Sequence, residues 1–117
     1  MMVKVKLNSD SLSSINTLCI SILQVVNELL CKSKNIEDSA RYKSELYEIN
    51  CVKDRIEIQR IKMRNQWSKK TISFKLSPTQ SYILVYYWSR NKEQINNYNM
   101  VILSDLSNNI YQQLTNM

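Results

Sequence analysis

Two short stretches of the chain alternate apolar and polar side chains with a period of two, and each runs into a segment of helical period. Val3, Val5 and Leu7 alternate with Lys4 and Lys6; Ile72, Phe74 and Leu76 alternate with Ser73 and Lys75. Alternation of this kind predicts a strand with one face buried. After the first strand, Leu12, Ile15, Cys19, Ile22, Val26 and Leu29 recur every three or four residues, and Leu18, Val25 and Leu30 widen the stripe. That spacing predicts an amphipathic helix to about Lys32, with Asn8, Ser9 and Asp10 as candidate N-caps.

Lys32-Ser33-Lys34-Asn35 breaks the pattern. Asn35 is placed to cap a second helix, with Glu37 and Asp38 in its first turn, running to about Asn65 or Trp67. Leu46, Ile49, Val52, Ile56 and Met63 share one face of it, whereas Ile58 and Ile61 do not. The misfit predicts either burial on two sides near its end or a bend. At ~45 Å against ~30 Å for its neighbour, its last turns are expected to project beyond helix one.

After the second strand, Ser77-Pro78-Thr79-Gln80 combines an N-cap serine, a proline at the first helical position and a glutamine placed to close a capping box. Seven consecutive apolar or aromatic residues follow, Tyr82 to Trp88, which predicts a helix buried on most sides. Asn91 to Asn97 is polar, and a fourth helix is expected over Tyr98 to Leu114, with Leu103, Leu106, Ile110 and Leu114 on one face.

The fold class expected from these elements is α+β and mostly helical, β-α-α-β-α-α, in one domain over residues 1–117. A helical hairpin returns the chain to its starting end, so the two strands should pair antiparallel. Residues 3–10 and 72–79 align at an offset of 69, each a strand ending in Lys-Leu before a cap and two helices. Residues 1–70 and 71–117 are therefore a candidate pseudo-repeat. A two-stranded sheet is marginal alone, so its edges need a covering helix or a partner across a dimer axis. A homodimer is expected.

Composition narrows the chemistry. There is no glycine and no histidine among 117 residues. Without glycine there is no phosphate-binding P-loop, dinucleotide fingerprint, nucleophile elbow or EF-hand loop; without histidine the commonest general base and metal ligand are missing. Asparagine supplies the punctuation instead: Asn8, Asn35, Asn65, Asn91 and Asn97 stand at or near the predicted boundaries, suited to capping and to left-handed backbone. Cys19, Cys31 and Cys51 are odd in number and widely spaced, which predicts buried thiols in a reducing compartment rather than disulfides or zinc. Ser21, Gln24, Asn27 and Glu28 interrupt the most apolar stretch, so no membrane span is expected, and no signal-peptide cleavage site follows it. A cytoplasmic location is the expectation.

The formal net charge is +6, and the stretch from Lys53 to Lys70 carries seven basic side chains against Asp54 and Glu57. Lys53, Arg60 and Arg64 fall within about 40° on a helix. With Trp67, Lys69 and Lys70 they form a candidate contact for nucleic acid or a protein partner, the row following phosphates and the indole stacking on a base. The competing reading is structural: acid at the start of helix two and base at its end suit the helix dipole, and long basic stems shield a helix seam. Tyr82, Tyr86 and Trp88 are a candidate interface or pocket. No catalytic constellation emerges, because Glu45, Glu48, Asp54 and Glu57 have basic neighbours at helical spacing. The expectation is a non-enzymatic interaction or accessory module, without cofactor or metal, that self-associates through helix faces; the alternative is a nucleic-acid-binding or regulatory protein.

Overall fold

A computed structural model describes residues 2–64, 71–91 and 97–116. The order is β1 (Val3–Leu7), α1 (Ser9–Lys32), α2 (Ile36–Arg64), β2 (Ile72–Leu76), α3 (Pro78–Asn91) and α4 (Asn97–Thr115). It is the expected α+β arrangement, with α1 and α2 forming one helical hairpin and α3 and α4 the other.

β1 and β2 pair antiparallel, with Val3 opposite Leu76, Val5 opposite Phe74 and Leu7 opposite Ile72. Under the internal alignment Val3 corresponds to Ile72, Val5 to Phe74 and Leu7 to Leu76. Each alternating apolar residue thus faces the counterpart of its mirror position, and a local pseudo-dyad passes through Val5 and Phe74. The helix starts obey the same correspondence. Asn8 Oδ1 accepts from the Ser11 N–H at 2.8 Å, and Ser77 Oγ accepts from the Gln80 N–H at 3.1 Å. The Ser77 N–H in turn donates to Gln80 Oε1 at 3.1 Å, completing the capping box.

The core runs between the inner sheet face and all four helices. Val3, Val5, Leu7, Phe74 and Leu76 meet Leu12, Ile15, Cys19, Ile22 and Val26 of α1, Ile49, Val52 and Ile56 of α2, and buried residues of α3 and α4. α1 lies at its centre and packs against every other helix. By length and composition α1 is also apolar enough to cross a membrane, despite its polar interruptions; in this fold Leu12, Ile15, Leu18, Cys19, Ile22 and Val26 are buried against the other elements, while Ile20 is exposed. Ser14 Oγ donates to Asn99 Oδ1 at 2.7 Å and fastens α1 to α4. The outer edge of β1 is covered by α4, where the Gln113 side chain bonds both the N–H and the C=O of Lys4.

Four expectations change. Helix two neither overhangs helix one as far as Met63 nor is buried on two sides: Arg60 and Met63 border a groove with Ser9 and Leu12 of the first α1 turns, and Ile58 and Ile61 face outward. α3 is not buried on most sides, since Tyr82 and Tyr86 are exposed while Ile83, Leu84, Tyr87 and Trp88 are buried. The phenols tolerate water at one end, so a continuous apolar run still leaves an outer face. Of the cysteines only Cys19 is buried; Cys51 is half-buried and Cys31 exposed. Left-handed backbone plays no part among the described residues, none of which has positive φ; Asn8 caps α1 and Asn35 caps α2 through their side chains, the Asn35 Oδ1 accepting from the Asp38 N–H at 2.8 Å, and Asn65 lies outside the described residues.

Candidate interaction surfaces

Two of the described basic residues near the end of α2 are engaged within the molecule. Arg60 pairs with Glu57 at 3.2 Å, and the Arg55 guanidinium lies 4.4 Å from the Phe74 ring centroid. Lys53 and Arg60 are half-buried, with their stems against the hairpin. The Arg64 side chain and Trp67, Lys69 and Lys70 lie outside the described residues. Lys53 and Arg60 therefore share a helix face as the spacing requires, and Arg60 is ion-paired with Glu57 there. Of the four carboxylates, Glu45 sits 3.8 Å from Arg41 and Glu57 beside Arg60, whereas Glu48 and Asp54 make no ion pair with a described residue.

The aromatic cluster divides in two. Tyr82 and Tyr86, four residues apart on one face, border an open groove of about 330 Å³ with Arg41, Glu45 and Ile83. The buried Trp88 lies on the opposite side of α3, among Ile15, Leu18, Leu84 and Leu103, around a void of only about 10 Å³. Tyr82, Tyr86 and Trp88 therefore do not line one pocket. Tyr87, absent from that set, ties α3 to α2. Its hydroxyl donates to Glu45 Oε1 at 2.8 Å, and burial followed by that hydrogen bond and charge raises the phenol well above its ordinary value. Arg90 stacks over the Tyr86 ring at 4.5 Å, and Tyr86 meets Tyr87 edge-on at 5.0 Å.

Two surfaces were not singled out from the sequence. The first is the outer face of the sheet, where Lys4, Lys6 and Lys75 are all exposed. Lys4 stands directly opposite Lys75. Because Gln113 takes the Lys4 N–H and C=O, this is the non-hydrogen-bonded type of cross-strand pair, whose side chains come closest. Like charges so placed are destabilising. None of the three lysines makes an ion pair with a described residue. The signal was present in the two alternations, but only the register reveals which lysines meet.

The second is the outer face of α2. Ile36, Tyr47, Ile58 and Ile61 are 86%, 69%, 53% and 58% exposed. Ala40 is exposed and Cys51 half-exposed along the same line. With Lys43 and Asp54 these positions advance by three or four residues at every step from 36 to 61, the spacing of a coiled-coil seam. α2 thus carries two stripes, one inside the core and one outside it. Ile58 and Ile61, the residues that misfit the inner stripe, belong to the outer one.

No family model, curated protein or solved structure matches this chain.

Proposed function

We propose that this protein is a non-enzymatic interaction module that self-associates through a helix face. The outer apolar row of α2 carries this reading. It puts four large apolar side chains in water along a helix whose opposite stripe already closes the core. Isolated apolar residues on a surface are ordinary, but four of them on one helix face at seam spacing, interrupted only by Lys43 and Asp54 among the charged residues, fit a helix awaiting a partner helix. Glu45 and Glu57 are engaged with arginines, which leaves them poorly placed for acid–base work. Multi-angle light scattering on the full chain tests the proposal. A dimer at tens of micromolar that persists in high salt is expected; a clean monomer there overturns it.

Nucleic-acid binding is the second reading, and the observation that favours it is the lysine face of the sheet rather than the end of α2. Lys4, Lys6 and Lys75 concentrate unpaired positive charge, and the Lys4–Lys75 repulsion would be relieved by a phosphate between them. Binding of labelled single- and double-stranded DNA at low salt is the check. Lys4→Glu with Lys75→Glu should abolish a sheet-face contact, whereas Arg60→Glu with Lys69→Glu and Lys70→Glu should abolish one at the end of α2. No binding at low salt removes the reading.

A further inference from the structure

The order of side chains along the outer row of α2 is complementary to itself in reverse. Reading from the N-terminal end gives Ile36, Ala40, Lys43 and Tyr47; reading from the C-terminal end gives Ile61, Ile58, Asp54 and Cys51. Laid antiparallel on a second copy, the row sets Ile36 against Ile61, Ala40 against Ile58, Lys43 against Asp54 and Tyr47 against Cys51. The two-fold axis then falls near Glu48 and Ile49, and every pairing occurs twice. One layer is aliphatic on both sides, two set a large side chain against a small one, and the two charges that interrupt the row meet each other. Large-against-small layers let two helices approach closely without overpacking. We propose that α2 is the homodimer interface, formed by antiparallel pairing of its outer row with that of a second copy of this chain.

The charges flanking the row agree. The first turn of α2 holds Glu37 and Asp38, and exposed Lys62 stands near its other end. An antiparallel partner brings the acidic end of one helix beside the basic end of the other, whereas a parallel partner sets like ends together. The macrodipoles of two antiparallel helices also oppose one another favourably. Geometry permits a long contact: residues 36 to 61 span ~38 Å of helix in a molecule 49 Å in its longest dimension. Lys43 and Asp54 are both exposed and neither is ion-paired with a described residue, so the partner's charge is the one each lacks.

This inference rests on the self-association reading, and charge reversal separates the two. Lys43→Glu faces Asp54 of the second copy with a like charge, and Asp54→Lys faces Lys43 in the same way. Sedimentation equilibrium of each single variant is expected to show dimerisation weakened by about tenfold or more. Mixing the two variants in equal amounts creates a heterodimer in which both charge pairs are opposite again, and association is expected to return to near wild-type strength. Unchanged circular dichroism and melting temperature at low concentration verify that both folds are intact, as exposure of the two positions implies. A wild-type dimer unaffected by either reversal, or weakened singles that the mixture does not restore, overturns the α2 pairing while leaving self-association standing. A wild-type monomer overturns both.

Discussion

Gln113 takes the place of a third strand at Lys4. Its Oε1 accepts from the Lys4 N–H at 3.0 Å, and its Nε2 donates to the Lys4 carbonyl at 2.7 Å. The same amide nitrogen donates to Asn109 Oδ1 at 2.8 Å, one helical turn earlier on α4, which fixes the plane of the amide. A glutamine here satisfies both polar groups of the edge residue and denies them to another chain.

Gln113→Leu keeps the bulk and removes both bonds. The expected loss is about 1–2 kcal/mol of unfolding free energy by urea titration, since partly exposed backbone groups recover some hydration. A second consequence is specific to edge protection: the variant should aggregate faster than one equally destabilised in the core, read by light scattering at matched stability. Equal aggregation rates would show that Gln113 contributes stability only.

The two helix caps make a paired prediction. Ser77→Ala removes the acceptor for the Gln80 N–H, and Asn8→Ala the acceptor for the Ser11 N–H. Each is expected to cost about 1 kcal/mol. Gln80→Leu should match Ser77→Ala within a few tenths of a kcal/mol, because the box is reciprocal. If the two faults add fully when combined, the reciprocity has no energetic meaning.

The elements were legible because the chain states its periods plainly. Val3 to Leu7 and Ile72 to Leu76 alternate without exception, and Ser77 to Gln80 is a capping box whose geometry follows from local rules alone. The interaction surfaces were harder because they depend on which residues meet at long range. Lys4 and Lys75 become neighbours only through the strand register, whereas the Glu57–Arg60 pair follows from helical spacing alone. Ile58 and Ile61 were visible as misfits to one stripe, but a second stripe emerges only once the first is known to be fully used in the core. The run from Tyr82 to Trp88 misled for the opposite reason: apolar content was read as burial, while the phenols of Tyr82 and Tyr86 sit at a groove rim.

Thiol accessibility separates the three cysteines. Labelling of the native protein by a chromogenic disulfide reagent should be fast at exposed Cys31, slower at half-buried Cys51 and absent at Cys19 until the chain unfolds. Pairing of α2 across a dimer would slow Cys51 further with rising protein concentration and leave Cys31 unchanged. A rate at Cys51 independent of concentration, in a protein shown to be dimeric, argues against its burial between copies.

Alkaline stability follows from two raised acids in the core. Burial pushes the Cys19 thiol from 9.0 to about 12, against a smaller opposing pull from Lys53. Burial, and then the hydrogen bond and charge of Glu45, raise Tyr87 above its ordinary 10.0. In both cases the unfolded chain releases its proton first. Each contribution is thus fully present below the unfolded value and is lost as pH rises through the folded one. Unfolding free energy should hold steady from neutrality to about pH 9 and then fall, with Tyr87 joining above about pH 10. Cys19→Ala is expected to cost about 1–2 kcal/mol at neutral pH, through the small cavity it leaves, yet to flatten the first part of the alkaline decline. Tyr87→Phe should cost about 1 kcal/mol at neutrality and flatten only the later part. Urea titrations of the three proteins across that range read both effects. An alkaline slope that survives Cys19→Ala unchanged would place the responsible proton elsewhere.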